Sequence, residues 1–586
     1  MATSENLPRS SLVNPAGLPA KWYSHGLTID RPGRVILTLG EVGQRKDGSW
    51  PDSFRGQVEQ AVANISTALI AGGGYPRDIV QLRFYVVGWT ESLAMDIIGP
   101  VTDFLRNDHG MPHKPLTTLL PVSKLAFPEA KHRIGGRSLT QSLRSTPDAF
   151  IDMGAAWINK TTQPTVYALC EKFGLETVEQ YTKGDTIEQD HDGRTHPYKW
   201  VKTSISGPIE RFRQIVTIAA SERTTHRFDD FPENQDVSLS KWVESKGLWQ
   251  YPEVRGACEW LCLDVVGRGS NEVGMYYFLD HLQSGPGLEM IATKGDVGPQ
   301  SLRVKKGVES PTAQYGTKAM STLARTHCKQ MDWLTASGTS AISDAIANDM
   351  PAGSILLSSP VGEIVQRNTC EAYVTTESGL RCKAKKVILA IPTNAYSKVH
   401  FTPPLSQIKR SLVSKVKPSI YSKVVLSYTA PWWRDAGLSG KFQSRSGPIC
   451  FSWDVCDLEA KQYGLALFVL GKIATSWHDL SKLEREEAIV EHLAMLVGSE
   501  LAPKAWDVKE INMAEWSEEE YVWGIPTSSI ESGLLMKYDA ASRESFGDLH
   551  FGGSETAYEW KGYLEGAIAA GKRVAAEVIE SLNINK

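Results

Sequence analysis

The spacing of apolar residues changes character along this chain, and the changes mark out its elements. Counted from Phe54, the residues Val58, Val62, Ile65, Ala68 and Leu69 return every three or four positions and predict an amphipathic helix that Gly72-Gly73-Gly74 ends. Ahead of it, Arg34 to Gly43 reads as a strand closed by a glycine turn. After it, Ile79 to Val87 reads as a strand, Ser92 to Leu105 as a second helix and Pro115 to Val122 as a further strand. Trp22 to Leu125 is thus expected to form a compact α+β unit.

Further on, helical patterns fill Leu239 to Lys246, Val254 to Val266 and Glu272 to Leu282, the last with Tyr276, Tyr277 and Phe278. Ala372 to Thr376 and Arg381 to Val387 predict a hairpin about Ser378-Gly379. Val387 to Thr393 is apolar without alternation, as in a strand covered on both faces. Ile420 to Tyr428 carries Lys423 inside an apolar strand, where a lysine either snorkels at a sheet edge or points into a cavity. The tail is the most informative stretch. Leu549 to Phe551 predicts a short strand, and the helix that follows runs toward Val578. Gly562, Gly566 and Ala570 recur every fourth position and leave one side of it bare for close approach by a planar group or another backbone. Such a helix start also offers unpaired amides and a partial positive charge.

With 586 residues the chain exceeds one core and is expected to divide into two to four units. A net charge of -4 gives no footprint for nucleic acid. The longest apolar runs, such as Leu465 to Leu470, are strand-sized against the ~20 residues a bilayer span needs, and neither end reads as a leader or an apolar anchor. A cytoplasmic protein without a membrane partner is expected. Eight irregularly spaced cysteines suggest reduced thiols. Cys258 and Cys262 lie one helical turn apart, but no second cysteine or histidine pair accompanies them, so no metal is expected.

The tail wording Gly553-Ser554-Glu555-Thr556-Ala557, followed by Trp560-x-Gly562-Tyr563-x-Glu565-Gly566-Ala567, resembles the flavin-closing segment of the flavin monoamine oxidase family. Glu129-Ala130-Lys131-His132-Arg133-Ile134-Gly135-Gly136-Arg137 is similar to the family's segment after the second Rossmann-like strand, and Asp152-Met153-Gly154-Ala155-Ala156-Trp157 to its next flavin-contacting turn. Ser358 to Ile364 resembles the strand whose valine, here Val361, lies by the adenine. The resemblance implies FAD held by Glu129, Gly135, Gly136, Arg137, Gly154, Ala155, Val361, Gly553, Ser554, Glu555, Gly562, Tyr563 and Leu564. It implies a small-molecule amine as substrate and oxygen as acceptor. Lys423 matches the family lysine that holds a water near flavin N5, and Tyr563 one of two aromatic walls. The second wall, and the cysteine that tethers flavin in some members, fall at Ile525-Pro526. FAD is therefore expected to be non-covalent, with Trp523 the residue that would have to swing in as the other wall.

Gln57, Gln60, Asn64 and Asp78-Ile79-Val80, in this order of elements, resemble the RidA/YjgF family of trimeric imine hydrolases. Thr117 stands where that family places a carboxylate-binding arginine, which makes an oligomerising or docking unit the expected role. The joint reading is α/β and α+β: a flexible start over 1–21, a RidA-like α+β domain over 22–128, and a Rossmann-like amine oxidase domain over 129–586. Within the latter, 129–198, 339–395 and 545–586 form the FAD-binding part, and 199–302 and 396–544 the mixed-sheet and helical substrate part. Two departures stand out. No G-x-G-x-x-G occurs anywhere in the chain, so the nucleotide-binding unit is incomplete. Residues 308–338 interrupt a family motif as an insertion, for which a surface loop and a retained intron are both open readings. A scaffold that has lost FAD and binds a ligand or partner is the alternative to an oxidase.

Overall fold

The computed structural model describes, in a first unit, residues 9–13, 26–30, 53–71, 81–87, 93–105 and 116–122. In a second it describes residues 133–146, 149–189, 193–198, 207–222, 235–285, 300–307 and 338–584, apart from isolated positions within and between these spans. The two units are Met1–Phe127 and Pro128–Lys586.

In the first unit the helix Phe54–Ala71 packs on the helix Ala94–Phe104 through Val62, Leu69, Ile97 and Val101. Gln81–Val87 and Leu116–Val122 pair in parallel, with Leu82 opposite Thr117, and the 94–104 helix lies in the crossover that parallel pairing requires. The expected strand at 34–43 lies outside the described residues.

The second unit is built around a seven-stranded mixed sheet. Its order is Glu510–Glu515, Tyr421–Tyr428, Tyr463–Leu470, Phe451–Asp454, Leu438–Ser444, Asp185–Gln189 and Thr195–Tyr198. Every residue of the 421–428 strand is buried, because it is paired on both edges and covered on both faces. That settles the position of Lys423: it is inside the sheet and not at an edge. One face packs on the helices Gly471–His478 and Lys482–Val497 through Val424, Leu426, Leu467, Val469, Ile489 and Leu493. The other face looks toward Met153, Trp516 and the hairpin Thr140–Ser142/Phe150–Asp152.

The helices Pro208–Ser221, Leu239–Ser245, Pro252–Val266 and Met275–Ser284 form a separate apolar cluster with Leu535 and Tyr538 of the helix Leu535–Arg543. On the remaining side lie a meander of Val361–Asn368, Glu371–Thr376 and Arg381–Ala384 and the parallel pair Val387–Leu389/Leu549–Phe551. The tail helix Leu564–Ile584 follows, with Leu564 and Ile568 packed against Ile158, Val166 and Ile342.

The expectation of a doubly covered strand at 387–393 fails. The strand is three residues long and has one partner among the described residues, and Ile388 is 43% exposed. An apolar run needs a second neighbour and a second layer to be buried, and the described residues supply neither on that edge. Residues 308–337 of the insertion lie outside the described residues.

Candidate active site

The site is assembled from three backbone turns that touch. Gly135 and Gly136 carry φ +98° and +53°, in the left-handed region that glycine enters without strain. The Arg133 guanidinium holds this turn by donating to the carbonyls of Gly136 (2.7 Å) and Ser138 (2.8 Å). Against it lies the 152–156 turn: Ala155 N–H donates to Arg137 O at 3.1 Å, and a Cβ on Gly154 would stand 2.1 Å from that same oxygen. The third turn is the tail segment, where a Cβ on Gly553 would stand 2.6 Å from Ile391 O. One left-handed glycine turn and two glycine-dependent approaches therefore bring together backbone from distant parts of the sequence.

The Arg137 side chain locks two of these turns. Its guanidinium donates to Glu555 Oε1 (2.5 Å) and Oε2 (3.1 Å), to Ser554 Oγ (2.7 Å) and to Pro526 O (2.8 Å). The planar fork matches a carboxylate in two places at once, as a lysine would not.

The tail then bends before its helix begins. Trp560 adopts φ +54° and donates N–H to Ser284 O at 2.6 Å, Gly562 adopts φ +80°, and Trp560 and Tyr563 rings meet edge to face at 5.2 Å. Lys561 is buried and donates to Asp280, with Asp539 3.6 Å away and Arg543 paired to Asp539. Burial raises the Asp280 carboxyl despite the opposing Lys561 charge. Gly566 lies beneath this bend, where a Cβ would stand 2.1 Å from Trp560 O. Glu565 accepts from Thr165 N–H (3.0 Å) and Val166 N–H (2.7 Å), satisfying donors at the start of the helix Pro164–Lys172.

These turns border a cavity of about 810 Å³ within the second unit. Its aromatic wall includes Trp157, Tyr421, Phe451, Trp453, Phe468 and Tyr563. Phe451 and Phe468 stack at 4.5 Å, and Trp157 lies 5.9 Å from Trp453 with its indole N–H donated to Gln180 Oε1 at 2.7 Å. Lys423 sits one layer behind this wall. Its ammonium donates to Gly154 O at 3.2 Å and lies over the Trp157 ring (5.1 Å) and the Phe468 ring (5.4 Å). Burial pushes its pKa down to about 8, opposed by the charge of Asp152. Asp152 in turn accepts from Thr140 Oγ1 (2.5 Å) and Thr339 N–H (3.0 Å), and burial raises its carboxyl.

Of the residues singled out from sequence, Gly135, Gly136, Arg137, Gly154, Ala155, Gly553, Ser554, Gly562, Tyr563 and Leu564 line this one cavity. Glu555 supports it through Arg137, and Lys423 stands behind Trp157 and Phe468. Val361 begins the meander and is not on the cavity wall. Trp523 is not on the wall either: it adopts φ +51° and carries the Lys398 ammonium over its ring at 5.2 Å, while Tyr521, Val522 and Ile525 face the cavity. Glu129 lies outside the described residues. Sequence reading passed over Trp260, Asp264, His281 and Lys561, all on the wall. Trp260 and Asp264 had a readable signal, an aromatic and an acid four apart on an otherwise apolar helix. No cluster of metal-ligating side chains occurs among the described residues.

The chain is similar to known proteins over most of its length. The profile of the family described as flavin containing amine oxidoreductase matches residues 128–579. A flavin-containing amine oxidase of Oncorhynchus mykiss is 26% identical over 460 residues, covering 77% of this chain and 80% of that protein. Flavin-containing amine oxidase B of Bos taurus is 24% identical over 470 residues, covering 78% and 81%. Among solved structures, putrescine oxidase bound to putrescine superimposes with a TM-score of 0.65 at 22% identity, covering 85% of this chain and all of that one (100%). Cyclohexylamine oxidase from Brevibacterium oxydans does so at 0.65 and 21%, covering 82% and 96%. These two likenesses concern the fold.

Proposed function

The chain belongs to the flavin containing amine oxidoreductase family, and on that premise we propose that the cavity walled by Trp157, Phe468 and Tyr563 is where it oxidises a small amine with FAD. It is a flavin-dependent amine oxidase. The observation that carries the assignment to this cavity is the convergence of the Gly135-Gly136-Arg137 turn, the 152–156 turn and the Gly553–Tyr563 tail on one cavity with aromatic walls.

The residues present fit a flavin. Gly136 and Gly571 border the space with nothing within 4 Å of an added Cβ, so they leave room, whereas Gly154 and Gly553 hold the surrounding backbone together. Gly135, Gly136, Arg137, Gly154, Ala155, Ser554, Gly562 and Leu564 would hold FAD, with no cysteine among the described residues of the wall to tether it. FAD, when bound, supplies a two-electron acceptor that is regenerated by oxygen, giving hydrogen peroxide. The net change is R–CH2–NH2 + O2 to R–CH=NH + H2O2. The chain's own contribution is placement and exclusion of water: the aromatic wall orients the amine carbon, and the low dielectric favours the neutral amine that oxidation requires. Lys423, next to Gly154 O, sets the charge behind the wall.

The reading of a scaffold without FAD draws on one observation. The Val387–Leu389/Leu549–Phe551 pair stands with an open edge among the described residues, in a chain without the G-x-G-x-x-G phosphate turn. The flavin absorbance of the purified protein separates the two readings.

For the first unit, the helix, strand, helix, parallel strand order over 54–122 supports a RidA-like domain, which we assign to 22–128 with an oligomerising role. Its test is the mass of the isolated 1–127 segment in solution, a trimer being the expected result. Within the second unit we assign 129–198, 339–395 and 545–586 to the FAD-binding part, which brings Trp157 and Tyr563 to the wall, and 199–302 and 396–544 to the substrate part, which brings Trp260, Tyr421, Phe451, Trp453 and Phe468. A cytoplasmic setting completes the proposal; no helix among the described residues is long and apolar enough to cross a membrane.

A further inference from the structure

One rung of the central sheet runs along the cavity. Lys423 pairs with Phe468, Phe468 with Phe451, Phe451 with Gln443 and Gln443 with Glu188, so five side chains from five strands share one face. Phe468, Phe451, Gln443 and Glu188 all border the cavity. At ~4.8 Å per strand the rung measures about 19 Å. It changes character midway: the Lys423 half carries the stacked phenyl rings, and the far half an amide and a carboxylate.

Arg445 closes the far half. It stands two positions beyond Gln443, just past the strand Leu438–Ser444, and its guanidinium lies against Gly256 of the helix Pro252–Val266, where a Cβ would stand 2.3 Å from Nη1. A glycine inside a helix costs stability, and here it leaves the seat on which the guanidinium rests. The fork is unused. Arg445 donates no hydrogen bond to a described residue, and its one ion pair among them, with Glu188 at 3.6 Å, is beyond hydrogen-bond reach. Charge points the same way. With Arg137 tied to Glu555 and Lys561 to Asp280, the charged residues left on the wall are Arg213, Lys441 and Arg445 against Glu188 and Asp264, an excess of one positive charge.

An unused guanidinium fork beside an amide suits a planar oxyanion. We propose that this end of the cavity receives a carboxylate, making the substrate class long amines that carry a carboxylate at the far end of the chain. This rests on the amine oxidase reading of the same cavity. Phe468 and Gln443 are two strand spacings apart, about 10 Å, and the amine and the carboxylate must span that distance. An α-amino acid, whose carboxylate adjoins the reacting carbon, does not reach both ends. Glu188 faces Arg445 when no substrate is present, and its charge weakens the site.

The test compares plain linear amines, linear diamines and linear ω-amino carboxylates of graded length, by peroxide release and by calorimetric binding. It uses the wild type, Arg445→Gln, Arg445→Lys, Gly256→Ala and Glu188→Gln. The Arg445 side chain is 30% exposed, so its variants are expected to fold. The wild type is expected to favour the ω-amino carboxylate over the plain amine of equal length, with an optimum near the 10 Å span. Arg445→Gln is expected to lower that preference in kcat/KM by about 10-fold, chiefly through KM, and Arg445→Lys to recover part of it. Gly256→Ala, which pushes the fork off its seat and keeps the charge, is expected to lower it too, and Glu188→Gln to raise it. A wild type indifferent to the carboxylate, a preference for the diamine, or a carboxylate preference that survives Arg445→Gln overturns the proposal, while turnover of any amine keeps the oxidase reading. Binding of the ω-amino carboxylate that depends on Arg445, without turnover of any amine, supports the site and removes the reading it was built on.

Discussion

Arg137 and Glu555, 418 positions apart in the chain, form a two-point ion pair with oxygen contacts of 2.5 and 3.1 Å, and the same guanidinium reaches Ser554 and Pro526. Glu555's side chain is 9% exposed and Arg137's 21%. Removing the arginine leaves a nearly buried carboxylate without its ion partner and two further acceptors, Ser554 Oγ and Pro526 O, without this donor. Arg137→Met is expected to cost about 3–5 kcal/mol of stability and to weaken flavin retention, both read by thermal unfolding with and without added FAD. Arg137→Lys is expected to recover only part, since an ammonium lacks the fork. Unchanged unfolding in Arg137→Met would show that the clasp contributes nothing.

Two glycines of the tail helix make opposite predictions for the same substitution. Gly566→Ala puts a Cβ 2.1 Å from Trp560 O, so either the helix or the Trp560–Tyr563 bend must shift. A loss of about 1–3 kcal/mol is expected. Gly571→Ala meets nothing within 4 Å and gains about 0.5–1 kcal/mol from helix propensity in the protein without cofactor. Because Gly571 borders the cavity, the same change is expected to weaken FAD binding. Chemical denaturation of both variants, with and without FAD, reads all of these effects.

Lys423 predicts a pH dependence. Its pKa in the folded chain is lowered to about 8 by burial, against an ordinary value of 10.5. Below pH 8 the ammonium is charged in both folded and unfolded chains, and the folded one bears the desolvation. Above 10.5 both forms are neutral and that penalty is gone. Stability attributable to this residue therefore rises between pH 8 and 10.5, by up to about 3 kcal/mol. Denaturation curves of wild type and Lys423→Met across that range are expected to diverge in favour of wild type as pH increases. A constant difference would mean that the ammonium is hydrated.

The parts of the site legible in sequence are those where backbone conformation or close approach demands a residue type. Gly135 and Gly562 are of this kind, because the left-handed φ belongs to the local segment; Gly154 and Gly553 are legible through the motif wording around them, although what demands glycine there is distant backbone, Arg137 O and Ile391 O. What sequence missed depends on partners far along the chain. Asp264 reads as one more polar residue on a helix until that face of the helix is seen to border the cavity. Lys423 reads as a cavity lysine until Trp157 is seen in front of it. Trp523 is an aromatic in the right stretch, but a left-handed turn directs it toward Lys398. Val387 to Thr393 looked fully covered because an apolar run does not say how many neighbours it has.

On the proposed assignment, the tail and the Gly135–Arg137 turn border a flavin that takes electrons from an amine. The most direct measurement is the visible absorbance of the purified protein, before and after adding excess FAD and then a series of small amines in the absence of oxygen. Flavin bands that an amine bleaches and that oxygen restores are expected, with all of the flavin released into solution on denaturation. A protein that stays colourless with FAD added, or a bound flavin that no amine bleaches, would contradict it.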